Sequence, residues 1–225
     1  MSAWWTYTLS DFLLFSPRTY YRLFELHNAA WWPVHFVAVV GGVAIVVLAK
    51  RGGPAAGRAV AAMLALAWAW VAWAFLWQRY ATVNWAATWM AAVFAAQALL
   101  FGLFAMRGHG LGLAPVAASR VRTGLAIAAG GVLAYPLASV ALGRGIAAAE
   151  VFGMAPDPTV FATLGILVLA APAARLALLP IPLAWCAVTG ATLWTMSSPE
   201  WWLLPLAAVV ALGAARLGRG SQPQP

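Results

Sequence analysis

Long apolar runs separated by short polar breaks dominate this chain. Seven can be delimited, at residues 30–49, 59–77, 85–106, 124–142, 159–171, 176–195 and 201–215. The first four and the sixth hold 19 to 22 residues. A helix rising 1.5 Å per residue needs about 20 residues to cross a hydrocarbon layer of about 30 Å. The fifth and seventh hold 13 and 15; they extend into their flanks, tilt less or, for the fifth, re-enter. The pattern predicts an all-α polytopic transmembrane bundle of about seven spans, with six as the alternative. No internal repeat of the kind found in many secondary transporters is visible.

Composition strengthens this reading. Of 225 residues, 64% are hydrophobic and 8% charged, with a mean hydropathy of +0.86. A soluble domain carries about 25% charged residues, so a soluble fold and a disordered chain are both excluded. The formal charge of +8 does not indicate nucleic acid, because the bases stand singly between apolar runs without a basic face. They report sidedness instead. Arg18, Arg22, Arg79 and Arg144 fall on one side. Lys50, Arg51, Arg58, Arg107, Arg120, Arg122, Arg175, Arg216 and Arg219 fall on the other. Nine against four puts the second side in the cytoplasm of a bacterial inner membrane, with the N-terminus outside and the C-terminus inside. All five acids, Asp11, Glu25, Glu150, Asp157 and Glu200, lie on the outer side. Eleven of the 14 tryptophans, from Trp4 to Trp202, also fall at or near outer span ends.

Residues 1–29 form an N-terminal interfacial segment, residues 30–215 the bundle, and residues 216–225 a disordered cytoplasmic tail. No cleavable signal peptide is expected, so the first span serves as a signal anchor. The stretch from Thr8 to Leu26 reads as an amphipathic helix capped by Ser10 or Asp11. Pro17 would interrupt it by removing a backbone donor. Cys186 is the sole cysteine, which excludes an internal disulfide and a paired-cysteine metal site.

The span interiors are almost free of ionisable groups, and no Asp or Glu lies within a run. Candidate chemistry therefore gathers at the outer mouth. His35 begins the first span, Arg79 and Asn84 join the second and third, and Asp157 precedes the fifth. Asn28 and Gln97 are the orienting groups. On one reading the loops converge into an outward-facing pocket. There Arg79 holds an anionic headgroup or carboxylate, or pairs with Asp157, and His35 adds pH dependence. On the other, these residues cap helices and anchor the interface. Gln97, lying in hydrocarbon, needs a partner across a helix interface. Pro136 predicts a kink in the fourth span, and Ala126 with Gly130 a tight helix contact. Trp70, Trp73 and Trp77 share one helix face, as do Trp85 and Trp89, either as packing and anchors or as a wall for a flat apolar ligand.

Three stretches carry a family likeness: LFELHNAAWWPVHFVAVV, VNWAATWMAAVFAAQALLFGLF, and LAYPLASVALGRGIAAAEVFGMAPDPTVFATLGILVLA. The chain from about Leu23 to Leu206 resembles a family of uncharacterised bacterial multi-pass inner-membrane proteins, a domain of unknown function sometimes labelled permease. Asn28, Trp32-Pro33, Asn84, Gln97, Tyr135-Pro136, Pro156, Pro158 and Thr159 fit its pattern. At the position of Asp157 the family often has cysteine, and this sequence departs from it. The resemblance implies fold and topology, and no reaction.

Two functions fit this outline. One is a permease-like protein for a small or apolar molecule with an outward-facing pocket. The other is a structural or accessory subunit that binds a membrane protein partner, a second copy of the chain, a lipid or a quinone-like ligand. An enzyme is the weakest alternative, since no nucleophile, histidine and acid share one depth. No cofactor or metal is expected, and the lipid bilayer is the expected surrounding.

Overall fold

A computed structural model describes residues 15–216, and among these every regular element is helical. The first helix among the described residues is α1 (Pro17–Ala30). Ser16 is its N-cap, with its hydroxyl accepting from the Thr19 amide at 3.2 Å. Pro17 therefore opens the helix and does not break it. At that first position its missing N–H is no loss. The expected start at Thr8, the caps Ser10 and Asp11, and the tail beyond Arg216 lie outside the described residues. Tyr20, Leu23, Phe24 and His27 form the buried face of α1, at the i, i+3, i+4, i+7 spacing of an amphipathic helix.

Seven helical segments follow, one on each apolar run. They are α2 (Val34–Arg51), α3 (Pro54–Trp70) continued by a π-helical stretch (Val71–Trp77), and α4 (Ala87–Met106). Next come α5 (Ala118–Ala129), a π-helical stretch (Gly130–Ala134) and α6 (Tyr135–Ala141). The last are α7 (Pro156–Leu169), the pair α8 (Pro172–Leu178) and α9 (Pro180–Thr195), and α10 (Leu203–Arg216). Four of these segments are long and apolar enough to cross a membrane, and α8 with α9, bent by 44°, makes a fifth. Their outward faces carry large apolar side chains such as Phe36, Val37, Val40, Leu66, Leu99 and Val209, each more than 60% exposed. Apolar surface on this scale suits contact with lipid or another protein better than water.

The short α7 is the centre of the molecule. All of its residues except Phe161 are buried, and it packs against α2, α3, α5, α9 and α10. Fourteen residues rise only about 21 Å. The closest approach is to α5: a Cβ on Gly165 would sit 2.3 Å from the Ala128 amide nitrogen and 2.5 Å from the Gly124 carbonyl oxygen. The tight face is thus Gly124 and Ala128 against Gly165, with Gly131 against Pro158 and Ala162. At Gly130, expected to lie in it, a Cβ would meet only the Phe161 ring, at 3.4 Å.

Backbone bonds tie the connecting segments into two ends. At the basic end, the Gly53 amide bonds the Leu113 carbonyl at 2.8 Å, and the Ala171 amide bonds that of Leu111 at 2.9 Å. Gly110, at φ +54°, packs its backbone on Gly57, where any Cβ would collide. Arg120 Nε donates to the Val168 carbonyl at 2.7 Å, capping the C-terminus of α7. At the acid-rich end, α1 lies across the segments 142–155 and 196–202, held by the bonds described next.

Candidate functional site

The segment between α6 and α7 shapes the acid-rich end. It was expected to be an exposed loop lining a mouth, yet every residue from Ala148 to Val160 is buried. Several of its backbone groups are hydrogen-bonded within the protein, as buried backbone requires. The Gly153 amide donates to Thr159 Oγ1 at 2.8 Å, and that hydroxyl donates to the Ala155 carbonyl at 2.7 Å. The Met154 and Ala155 amides both bond the Val151 carbonyl.

Folding this segment inward carries Asp157 into the first turn of α7, where it is 2% exposed. An acid therefore does lie inside a helix of the bundle, which the apolar runs did not indicate. Its carboxyl group accepts from Trp185 Nε1 at 2.7 Å and from Tyr135 Oη at 3.2 Å. Thr189 Oγ1 lies 2.9 Å from both carboxyl oxygens. Glu150 is 5% exposed and its Oε2 has no hydrogen-bond partner. Burial first, then the charge of Asp157, raises its pKa well above the ordinary carboxylate value.

A third buried acid, Glu200, pairs with Arg144 and accepts from Tyr21 Oη at 3.1 Å. Tyr21 Oη also bonds Ser198 Oγ at 2.7 Å, and the Arg144 guanidinium sits 4.2 Å over the Tyr21 ring. Burial pushes the Tyr21 phenol up to about 12. Glu150, Glu200 and Arg144 were not among the expected site residues. The confinement of every acid to one set of connections was the available signal.

Beside this cluster lies a cavity of about 390 Å³ between α1, the start of α2, Pro136 and the segment 146–151. Asn28 and His35 line it together, with His35 Nε2 2.9 Å from Asn28 Oδ1. Asn28 Nδ2 donates to the carbonyls of Ala147 at 2.9 Å and Ala149 at 2.8 Å. Both amide hydrogens are thus used and Oδ1 must accept, which puts the imidazole proton on Nε2. Asn28 lies within α1 and caps no α-helix; it clamps the cavity wall at the end of the 3-10 turn Ile146–Ala148.

The other expected site residues stand apart. Arg79 Nη2 donates to the Leu26 carbonyl at 3.4 Å, near the end of α1, and makes no ion pair among the described residues. Asn84 Oδ1 accepts from the Ala86 amide at 3.0 Å, at the entry to α4. Gln97 is fully buried and donates to the Leu178 carbonyl at 3.0 Å, a partner across the α4–α8 interface. No hydrogen bond or ion pair joins His35, Arg79 and Asp157. His27 is buried edge-on against Phe75, 5.3 Å between ring centres. Burial, and then the nearby Arg79 and His35, lower its pKa to about 4.

Trp31, Trp70 and Trp73 form a triangle with ring centres 4.8 to 5.7 Å apart. Trp85 and Trp89 point outward, about 70% exposed. Between α3 and α4 runs an open groove of about 590 Å³ lined by alanines, Leu66, Leu99, Thr88, Trp73 and Trp77. Among the described residues, no group of three or more His, Cys, Asp or Glu is placed to hold a metal ion.

Taken together, these features describe an all-helical protein with several helices apolar enough for a membrane and a polar cluster buried at one end. The chain belongs to a family of unknown function (DUF6064), whose model matches residues 18–220. Comparison with curated proteins and with solved structures returns no match.

Proposed function

We propose that this protein is a seven-span inner-membrane protein, acid-rich end outward. On this reading it holds a small, largely apolar molecule, a lipid or quinone-like ligand, in the cavity beside Asn28 and His35. The cavity carries the reading. It has the size of a small-molecule site, is mostly apolar, and has a few fixed polar groups, as ligand sites usually do.

A one-sided holding role suits the interior better than a through-path. Further along α2, Gly42 packs so closely that a Cβ there would lie 2.7 Å from the Val132 side chain and 2.9 Å from Phe152. The basic end is laced by backbone bonds between residues 53, 57, 111, 113 and 171. A permease would have to open both. The groove between α3 and α4 favours a second reading, in which a partner helix packs against the alanine face.

Trp32, 66% exposed and lining the cavity, is the reporter for the test. Protein in lipid nanodiscs is titrated with decyl-ubiquinone and, separately, with brominated phospholipid. The expected result is saturable quenching by one of these probes, reduced at least tenfold in affinity by Ala29→Phe, which fills the cavity, and lost with Trp32→Phe. Non-saturable quenching unchanged by Ala29→Phe would overturn the reading.

A further inference from the structure

We propose that Glu150 and Asp157 form a buried proton-binding site that holds one proton at neutral pH, on Glu150, with Asp157 kept as the carboxylate. This site does not depend on the ligand reading above.

The assignment rests on the donors each acid meets. Asp157 is surrounded by donors: the indole N–H of Trp185, which can only donate, and the hydroxyls of Thr189 and Tyr135. A carboxylate accepts all of them. A protonated Asp157 would have to turn one oxygen into a donor and reverse one of these bonds. Glu200 binds Arg144 and Tyr21 through Oε1; its Oε2 also meets no donor, but the ion pair with Arg144 supplies the counter-charge that keeps it a carboxylate. Among the described residues Glu150 is the remaining buried acid. It is 95% buried by its 5% exposure, and its Oε2 meets no donor.

Electrostatics then decides which acid is neutral. The charged groups acting on Glu150 are Asp157, Arg144 and Glu200. Arg144 is the one cation among them and it is paired with Glu200. A second bare carboxylate beside Asp157 would have only a counter-charge already paired with Glu200 and, at Oε2, no hydrogen bond. In a low-dielectric interior that costs several kcal/mol, so the group takes up a proton instead. The other titratable groups facing the pair are neutral phenols and a thiol. Tyr20 and Tyr21 come from α1, Tyr80 from the link before α4, Tyr135 from α6 and Cys186 from α9. None supplies positive charge.

The site is also placed for exchange. Ala149 and Val151, on either side of Glu150, line the cavity, and Asn28 clamps the Ala149 carbonyl. The proton thus sits one residue behind the cavity wall. Ionisable groups inside membrane proteins commonly mark such relays.

Infrared spectroscopy of the full chain in nanodiscs tests this through the carbonyl stretch of protonated carboxyl groups. Wild type at neutral pH should show one such band, shifting on exchange into D2O. Glu150→Gln should lose it, and Glu200→Gln should keep it. Asp157→Asn should keep it at neutral pH but titrate it out at lower pH than wild type, because the neighbouring charge is gone. Circular dichroism checks folding of each variant. A wild type without the band, or a Glu150→Gln protein that keeps it, would overturn the proposal. If Glu150→Gln does not fold, Asp157→Asn decides: loss of the band at neutral pH would place the proton on Asp157 and overturn the assignment.

Discussion

At the scale of single residues, the acid-rich end is a balance between burial and donors. Asp157 is buried with donors from two helices, Glu150 with none on Oε2, and His27 with its base weakened. His27 yields a prediction whose sign follows from linkage. Its pKa is lowered from 6.5 to about 4, so below 6.5 the unfolded chain binds a proton that the folded protein refuses. Stability is therefore full above about pH 6.5 and falls as the pH drops towards 4. His27→Phe, which keeps an aromatic ring against Phe75, should flatten that part of the profile. Melting temperatures of both proteins in nanodiscs between neutral pH and about pH 4 check it; parallel profiles would mean that His27 does not control this loss.

At the scale of elements, α7 is defined by what surrounds it. It is too short to cross a membrane alone, yet it is covered on nearly every side. Small residues allow this, since Gly124 and Gly131 in the α5–α6 segment and Gly165 in α7 bring the backbones into contact. Gly165→Ala should force the helices apart, because the new methyl would lie 2.3 Å from a main-chain nitrogen that cannot move aside. The expected loss is about 1–3 kcal/mol, the usual cost of overpacking. Gly130→Ala, a matched control with only the Phe161 ring at 3.4 Å, should change stability by less than about 1 kcal/mol. Denaturation in mixed micelles compares the two, and equal losses would mean that the α5–α7 contact is not close. The two π-helical stretches, Val71–Trp77 and Gly130–Ala134, interrupt long helices that pack on α7; such stretches are frequent at functional sites.

At the scale of the whole molecule, the question is orientation. The charge asymmetry predicts the basic end in the cytoplasm, and the structure identifies probes for testing it. Gly108 is exposed, and a side chain there meets nothing within 4 Å. Gly110 would be a poor choice, since a Cβ there collides with Gly57. Ile146, 70% exposed, reports the opposite end. Cys186 is buried and should be silent to labelling. In intact cells a membrane-impermeant maleimide should label Ile146→Cys and spare Gly108→Cys until the membrane is opened. The reverse pattern would invert the topology.

Hydrophobic patterning located the helices because most of the apolar runs are long, and a run of 19 to 22 residues has few alternatives to a helix. It also separated the connections into two groups, since acids and bases avoid hydrocarbon and collect at its edges. The partner of Gln97 across a helix interface was legible too, because an amide in an apolar segment must bond something. The destination of the segment 148–160 was not. Its prolines and glycine read as a loop, and only tertiary packing shows it folded into the core with Thr159 bonding its backbone. For the same reason Asp157 was read as a mouth residue. Its three donors come from α6 and α9, 22 to 32 positions away along the chain, and local sequence carries no trace of that meeting. The joining of Asn28 to both His35 and the wall at Ala147 and Ala149, and the separation of Arg79 from Asp157, were likewise decided by how α1 lies across the bundle. Side-chain chemistry states what each group needs; which neighbour meets the need is set by long-range packing.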